Sequence, residues 1–501
     1  MSMFRFFGHP AEEDMEVRIP EKCLYGLYTG VISLAGLGCL PFWILRIRRS
    51  LIKYQGTVAQ RFGQLPTTLC QDLATRECFW VHAVSVGEAL AAQGLVEKLH
   101  HLFPHWRVVV STVTKTGQQV VHDRFAHVDH TLYLPLDLPW IVRRVVARIR
   151  PRFVIVMETE LWPNLFHALE RAAIPIILVN GRLSPRSFTR YRHIRWAMAR
   201  FLQPVHLFCM QSAGDAERLR QLQAPSHSPQ GEPSPSPNPA PNSTYPQRMC
   251  VTGNLKYDQA LRLPDPTAMA TLRQRLGAPA DPIWLAASTH PGEEEIVLDG
   301  FSQVRQQHPD LRLILVPRHP ERTGTVAGII SRHGLPFSLF SQTRGSWPQP
   351  LLLVDEIGWL TRLYGVARIV FVGGSLIPHG GQNFLEPAAW GIPPMFGPHT
   401  FNFKDATQQF LAARAAFQVA DVNALATTAR MLLHNPAQRD EAGQRAQDCV
   451  LAHTGALERT VRAIQAILTP HISRDGKDAS TPLAGHHPHT SSDKVEHGPH
   501  P

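Results

Sequence analysis

The sequence predicts an α/β protein in which two doubly wound units face a cleft, behind an N-terminal membrane-anchor helix. Three observations carry that expectation. Short apolar runs alternate with amphipathic stretches in two successive blocks, a Pro/Ser-rich stretch divides the blocks, and an uncharged apolar stretch precedes both. Strands covered on both faces read as continuous apolar runs, and strand–helix alternation implies a parallel sheet with helices on each side.

Taken in order, residues 1–49 form the N-terminal segment. Its stretch at about 23–45 carries no charge and is long enough to cross a bilayer as a helix. Arg46, Arg48, Arg49 and Lys53 follow at once, which places the rest of the chain on the cytoplasmic side. The acidic lead-in from Glu12 to Glu16 and the lack of an Ala-x-Ala exit argue against a cleaved signal peptide. Pro41 and the glycines interrupt the run, so a helix lying in the interface stays open as an alternative. The first block, 50–222, has strand-like runs at 78–82, 106–111, 153–157 and 174–179. Residues 223–248 are rich in Pro, Ser, Asn and Gln, a composition that cannot build a core. The second block, 249–470, has runs at 283–287, 311–316, 351–354 and 368–372. The tail 471–501 is polar, His-rich and expected to be disordered. Two Rossmann-like halves joined by a cleft correspond to the GT-B architecture of glycosyltransferases, with ligands beyond the carboxyl ends of the strands.

Composition narrows the partners. The chain has 501 residues, with 50 Lys and Arg against 40 Asp and Glu, a formal charge of +10. An anionic partner follows. The arginines sit beside the apolar N-terminus rather than among aromatic RNA-type motifs, which favours an anionic membrane surface or phosphorylated lipid over nucleic acid. The seven cysteines show no CxxC spacing and make an odd total, against a disulfide framework or a zinc site.

The stretch 354–405 is the most informative. An apolar strand runs into Gly373-Gly374-Ser375, where backbone can approach a ligand with no Cβ in the way. Gly380-Gly381-Gln382-Asn383 is expected to open the next helix with free N–H groups toward the same crevice. Glu386 lies one turn in, placed to accept bonds from ribose hydroxyls. An ordinary strand–helix crossover explains the glycines alone; Asn383 and Glu386-Pro387 tip the balance toward an anionic nucleotide-sugar site. In the first block, Ser85 and Glu88 have the spacing of a helix capping box, and Glu88 also lies at a strand's carboxyl end, where a carboxylate could take a proton. Glu158 and Glu160 follow the apolar run FVIVM. Arg182, Arg186, Arg190, Arg192, Arg195 and Arg200, with Phe188, Tyr191 and Trp196 between them, read as a solvated basic helix or a phosphate-binding, membrane-facing surface. Lys256 is a surface lysine or a charge for a departing phosphate, and Arg318 and His319 follow the strand LILV.

In chain order, HAVSVGE, METELWPN, NGRLS, GNLKYD, ASTHPGEEE, PRHPER, FVGGSL and GGQNFLEPAAWGIPPMFGPHTFNFKD resemble the 3-deoxy-D-manno-octulosonic acid (Kdo) transferases over about residues 25–465, the Pro/Ser-rich stretch excluded. The resemblance implies an inverting, inner-membrane-anchored, cytoplasm-facing GT-B enzyme of lipopolysaccharide synthesis. Such an enzyme moves Kdo from CMP-Kdo to a lipid A precursor, lipid IVA. It implies Glu88 as proton acceptor, and Glu158 and Lys256 as transition-state stabilisers. It implies CMP contacts at Arg318, His319, Ile357, Gly358, Trp359, Asn383, Phe384, Leu385 and Glu386. Trp359 stands where the family often has an acid, so only backbone contacts are expected there. No Asp-x-Asp motif backed by further ligands is present, so no metal or other cofactor is expected. The rivals are another GT-B enzyme, such as a UDP-sugar transferase or a sugar-nucleotide epimerase, and a non-catalytic lipid-binding scaffold.

Overall fold

Fourteen strands in two all-parallel, seven-stranded sheets organise the described residues. The computed structural model describes residues 20–38, 57–224, 248–277 and 281–472. The first sheet holds β1 (Cys78–His82), β2 (Arg107–Thr112), β3 (His130–Tyr133), β4 (Val154–Met157), β5 (Ile176–Gly181), β6 (Val205–Met210) and β7 (Arg248–Val251). Its order is β3-β2-β1-β4-β5-β6-β7. The second holds β8 (Ile283–Thr289), β9 (Arg312–Pro317), β10 (Phe337–Leu339), β11 (Leu351–Leu353), β12 (Ile369–Val372), β13 (Pro394–Phe396) and β14 (Phe417–Gln418), in the order β10-β11-β9-β8-β12-β13-β14.

Every residue of β1, β4, β6 and β12 is buried, which is why these runs carry no alternation. Helices cover both faces of each sheet. In the first lobe, one layer packs Trp80, Val154, Phe166 and Phe208 together, and the other packs Phe79, Val81, Phe153 and Leu207. Strand order reverses between β1 and β4 in the first sheet and between β8 and β12 in the second. A doubly wound sheet opens its ligand crevice at such switch points.

The chain crosses between lobes twice. After β7 it passes through Thr252 and Gly253 into the helix Leu255–Ala260. It returns through Gly455 into the last helix, Ala456–Ile472, whose Val461, Ile464 and Leu468 pack into the first lobe's core. Asp258 accepts from the N–H groups of Gly455 (2.8 Å) and Leu457 (3.2 Å), and Arg459 Nε donates to Thr252 O (2.8 Å). The two crossings are thereby fastened to each other.

The N-terminal helix, Glu21–Gly38, lies against the first lobe. Leu24 and Tyr25 are buried with Ala197 and Phe201. Tyr28 Oη donates to Asp137 Oδ2 at 2.9 Å, and Thr29 and Asn164 side chains bond at 3.2 to 3.3 Å. Its other face is apolar and open, with Leu27, Val31 and Leu34 each more than half exposed. No helix among the described residues is long and apolar enough to cross a membrane. The spanning helix expected over 23–45 is therefore not found. The helix is seen as far as Gly38, one side of it is spent on protein contacts, and 39–45 lie outside the described residues with Arg46, Arg48, Arg49 and Lys53. The Pro/Ser stretch from 225 to 247 and the tail from 473 also lie outside them. The six cysteines within the described residues are free.

Candidate functional site

Glu88 stands at the first sheet's switch point, just past the end of β1. Ser85 caps the helix Val86–Leu102 by accepting from Glu88 N–H, while the Glu88 carboxylate accepts from Val84 N–H (2.8 Å) and Ser85 Oγ (3.1 Å). The capping geometry is thus real, and it holds the carboxylate at the crevice rather than excluding a chemical role. Burial pushes Glu88 up to about 7, and the charges of Glu158 and Glu160 push the same way. A carboxyl poised there exchanges protons near neutrality.

Glu158 follows β4, which neighbours β1, so strand order brings two acids 70 residues apart to one crevice. Its backbone is left-handed (φ 56°), a conformation that costs an L-residue of order 1 kcal/mol or more and collects at functional sites. Its Oε1 accepts from Lys256 Nζ at 3.0 Å, both side chains being largely covered. Burial, then the charge of Glu158, raises the neighbouring Glu160 as well.

Lys256 is placed by the crossing segment. Asn254 caps its helix by accepting from Lys256 N–H (3.0 Å). Asn180, also left-handed (φ 59°), reaches from the end of β5 to accept from Leu255 N–H at 3.0 Å. Asn180 was not among the expected site residues; the NGR turn in which it sits was the available signal. Lys256 Nζ lies 5.4 Å from the Phe403 ring of the second lobe.

In the second lobe the glycine turn after β12 does not offer the open amides expected. The Glu293 carboxylate, fully buried, accepts from the N–H groups of His290 (3.0 Å), Gly374 (2.6 Å), Ser375 (2.9 Å) and Leu376 (2.9 Å). Gly381 and Gln382 N–H groups, expected to be free, donate to Gly374 O (2.7 Å) and Gly373 O (3.0 Å). The helix that follows is only Leu385–Ala389. Gly373 is required sterically: a Cβ there would sit 2.6 Å from Ser288 O.

The residues expected to contact CMP divide. Asn383 Nδ2 donates to Glu386 Oε1 at 3.0 Å, and burial pushes Glu386 up to about 7. Phe384 and Leu385 side chains are buried in the second lobe's core, Phe384 among Phe396, Phe403 and Phe410, leaving only their backbone for a ligand. Trp359 donates to Glu356 Oε2 (2.8 Å) with Arg275 and Arg362 against its ring, while Ile357 is 75% exposed. Arg318 follows β9 and His319 is exposed, near the buried His290, whose ring lies tilted against that of His379 (centroids 4.1 Å apart) and meets Gln382 (3.1 Å). Burial and the neighbouring histidines lower His290 to about 4. His290, Gln382 and Glu293 were not among the expected site residues. Of these, His290 and Glu293 lie in the ASTHPGEEE segment.

The basic run 182–200 is not one surface. Arg182 crosses the cleft to donate to Phe401 O (2.8 Å) and Asn402 O (2.9 Å), and Arg200 pairs with Glu170 (3.3 Å). Arg186, Arg190 and Arg192 remain exposed. A second bridge runs from Arg124 to Gly358 O (3.2 Å). Among the described residues, no three His, Cys, Asp or Glu side chains are grouped so as to hold a metal ion.

Comparison with known proteins agrees with this layout. The family described as 3-deoxy-D-manno-octulosonic-acid transferase (kdotransferase) matches residues 56–230. The 3-deoxy-D-manno-octulosonic acid transferase of Haemophilus influenzae is 33% identical over 432 residues, 84% of this chain and 93% of that one. That of Bordetella pertussis is 32% identical over 452 residues, 87% and 98% of the two chains. The crystal structure of UDP-GlcNAc 2-epimerase from Neisseria meningitidis bound to UDP-GlcNAc superposes with a TM-score of 0.52 at 12% identity, covering 78% of this chain and 100% of that one; it shares the fold. Identity of about one-third, sustained over more than four-fifths of the sequence on a two-lobed parallel fold, makes this chain a member of the 3-deoxy-D-manno-octulosonic acid transferase family.

Proposed function

We propose that the chain transfers Kdo from CMP-Kdo to a lipid A precursor, lipid IVA, with inversion, in lipopolysaccharide core synthesis. The observation that carries the reading is the Glu158–Lys256 pair at 3.0 Å, where the lobe bearing Glu88 meets the segment leading into the lobe bearing Arg318, Asn383 and Glu386. In this reading CMP-Kdo lies in the second lobe, with Arg318 and His319 toward phosphate or base. The backbone of Ile357, Gly358, Trp359, Phe384 and Leu385 lies along the nucleotide, and Asn383 and Glu386 face the ribose. Glu88 takes the proton of the acceptor hydroxyl as its oxygen bonds to the anomeric carbon. The bond from that carbon to the phosphate oxygen breaks, and the electron pair leaves on CMP. Lys256, held by Glu158, offsets the charge on the leaving phosphate, the kind of preorganised electrostatics that commonly dominates catalysis. No metal takes part in the proposed step.

Incubating the purified protein with CMP-Kdo and a tetraacylated lipid A precursor in excess chelator is expected to add one or more Kdo masses to the lipid. An unchanged lipid mass, with CMP-Kdo intact, would overturn the proposal; transfer restored only by added magnesium would overturn its metal independence. Selective competition by CMP over UDP separates this reading from a UDP-sugar enzyme.

We further propose that the protein works on the cytoplasmic face of the inner membrane, with the helix Glu21–Gly38 lying along the surface. Leu27, Val31 and Leu34 form an i, i+4, i+7 stripe, and helix 21–38 packs on the helix bearing the exposed Trp196, next to Arg190 and Arg192. Each basic side chain near an anionic surface contributes roughly 1 kcal/mol. Arg190→Glu with Arg192→Glu is therefore expected to weaken co-sedimentation with anionic vesicles by about a hundredfold at low salt and to leave binding to neutral vesicles unchanged. Equal loss on both vesicle types would count against the electrostatic role.

A further inference from the structure

We infer that Glu293 is a positioning residue for the nucleotide site, acting as a built-in anion that fills the amide nest of the 373–376 turn and through it fixes the segment 380–386. Successive backbone N–H groups in a turn with a left-handed residue form a concavity that binds anions, and Gly374 supplies that residue here (φ 67°). In many nucleotide-binding sheets such a nest receives a phosphate. Here one carboxylate takes three consecutive N–H groups of the turn and a fourth from His290. Glu293 also begins the helix Glu293–Arg305, so its charge is favoured by that helix's own dipole. The nest is occupied before any ligand arrives.

The connection to the donor site is continuous. Carbonyls of the same turn, Gly373 O and Gly374 O, accept from Gln382 and Gly381. Gln382 also meets the His290 ring, and His290 N–H is one of the four donors to Glu293. Asn383 and Glu386 follow directly and bond to each other at 3.0 Å. Glu293 is thus joined to the ribose-facing pair by two short routes, one through the turn and one through His290. The next residue, Glu294, ties the same corner to the strand β9 side by accepting from Arg322 (2.7 Å) and Thr289 Oγ1 (3.1 Å). A consequence is that the donor's phosphate is received elsewhere than in this glycine turn. The inference rests on the second lobe being the CMP-binding one.

Removing the carboxylate leaves four buried amides open, so a small carboxylate from solution can take its place. Glu293→Ala is expected to weaken CMP binding by about ten- to a hundredfold, and formate at high concentration to restore most of it, with chloride at the same ionic strength ineffective. Glu293→Gln, which keeps the volume but sets an NH2 against N–H donors, is expected to raise KM for CMP-Kdo about tenfold, with KM for the lipid acceptor unchanged. CMP affinity unchanged in both variants, or donor and acceptor KM rising equally, would overturn the inference. A measurement on the unaltered protein decides the matter if the variants do not fold. The amides of Gly374, Ser375 and Leu376 should be protected from hydrogen exchange without CMP and no more protected with it. Protection appearing only with CMP would assign the nest to the ligand and overturn the inference. Failure of the unaltered protein to bind CMP at all would instead overturn the donor-site reading.

Discussion

Glu88→Gln is expected to lower turnover by about two to four decades while CMP affinity is retained, because a general base contributes on that scale and the residue stands on the lobe opposite the proposed nucleotide site. The pH dependence sharpens the test. Glu88 is raised to about 7, first by burial and then by Glu158. Only its ionised form can take a proton, so kcat/KM is expected to climb with pH and level off above about 7, and that limb should vanish in the variant. Stability runs the other way. With the folded value above the unfolded one, folding favours the protonated carboxyl, so this group's stabilisation is full below about 4.5 and is lost as pH rises through about 7. A shift of that size corresponds to at most roughly 3 kcal/mol. Glu88→Gln should therefore melt higher than the parent at pH 8 and nearly level with it at pH 4. An enzyme that is slower and no more stable at pH 8 would show that Glu88 is not the strained acid described. Near-normal turnover would remove it from the reaction.

How much of this could be read from the sequence depends on how local the cause is. Strands such as β1 and β4 are legible because burial on both faces leaves an unbroken apolar run. The edge strands β3, β10 and β14 are short and partly exposed, and nothing in their composition separates them from loop. Glu88 and Glu158 are each legible as acids at a strand end. That they share a crevice is a property of strand order, which places β4 beside β1. Glu293 shows the opposite case. Three consecutive glutamates read as an ordinary acidic first turn, and nothing nearby indicates that one of them closes a turn about 80 residues on. The return of the last helix to the first lobe is equally non-local. For the N-terminal helix, lack of charge suggests lipid on all sides, but Tyr25 and Tyr28 give it a protein-facing side instead.

Lys256→Met is expected to reduce kcat by about a hundred- to a thousandfold, the usual consequence of removing one group that stabilises transition-state charge. A second effect separates this role from mere packing. Glu158 already raises Glu88 through its charge, and Lys256 Nζ at 3.0 Å partly offsets that charge. With the lysine gone, Glu158 bears on Glu88 uncompensated, so the rising limb of the pH profile should move to higher pH. Glu158→Gln removes the repulsion and should move the limb to lower pH, while also lowering kcat because Lys256 loses the partner that aims it. Lys256→Arg keeps a cation against Glu158 and is expected to return the limb to its original position while recovering turnover only in part, since a guanidinium cannot reproduce a single ammonium's placement. Opposite displacements from the two halves of one ion pair require that Glu88, Glu158 and Lys256 act in a common field. If both substitutions move the limb in the same direction, or leave it in place while lowering kcat, the pair serves to join the lobes and has no part in setting the base.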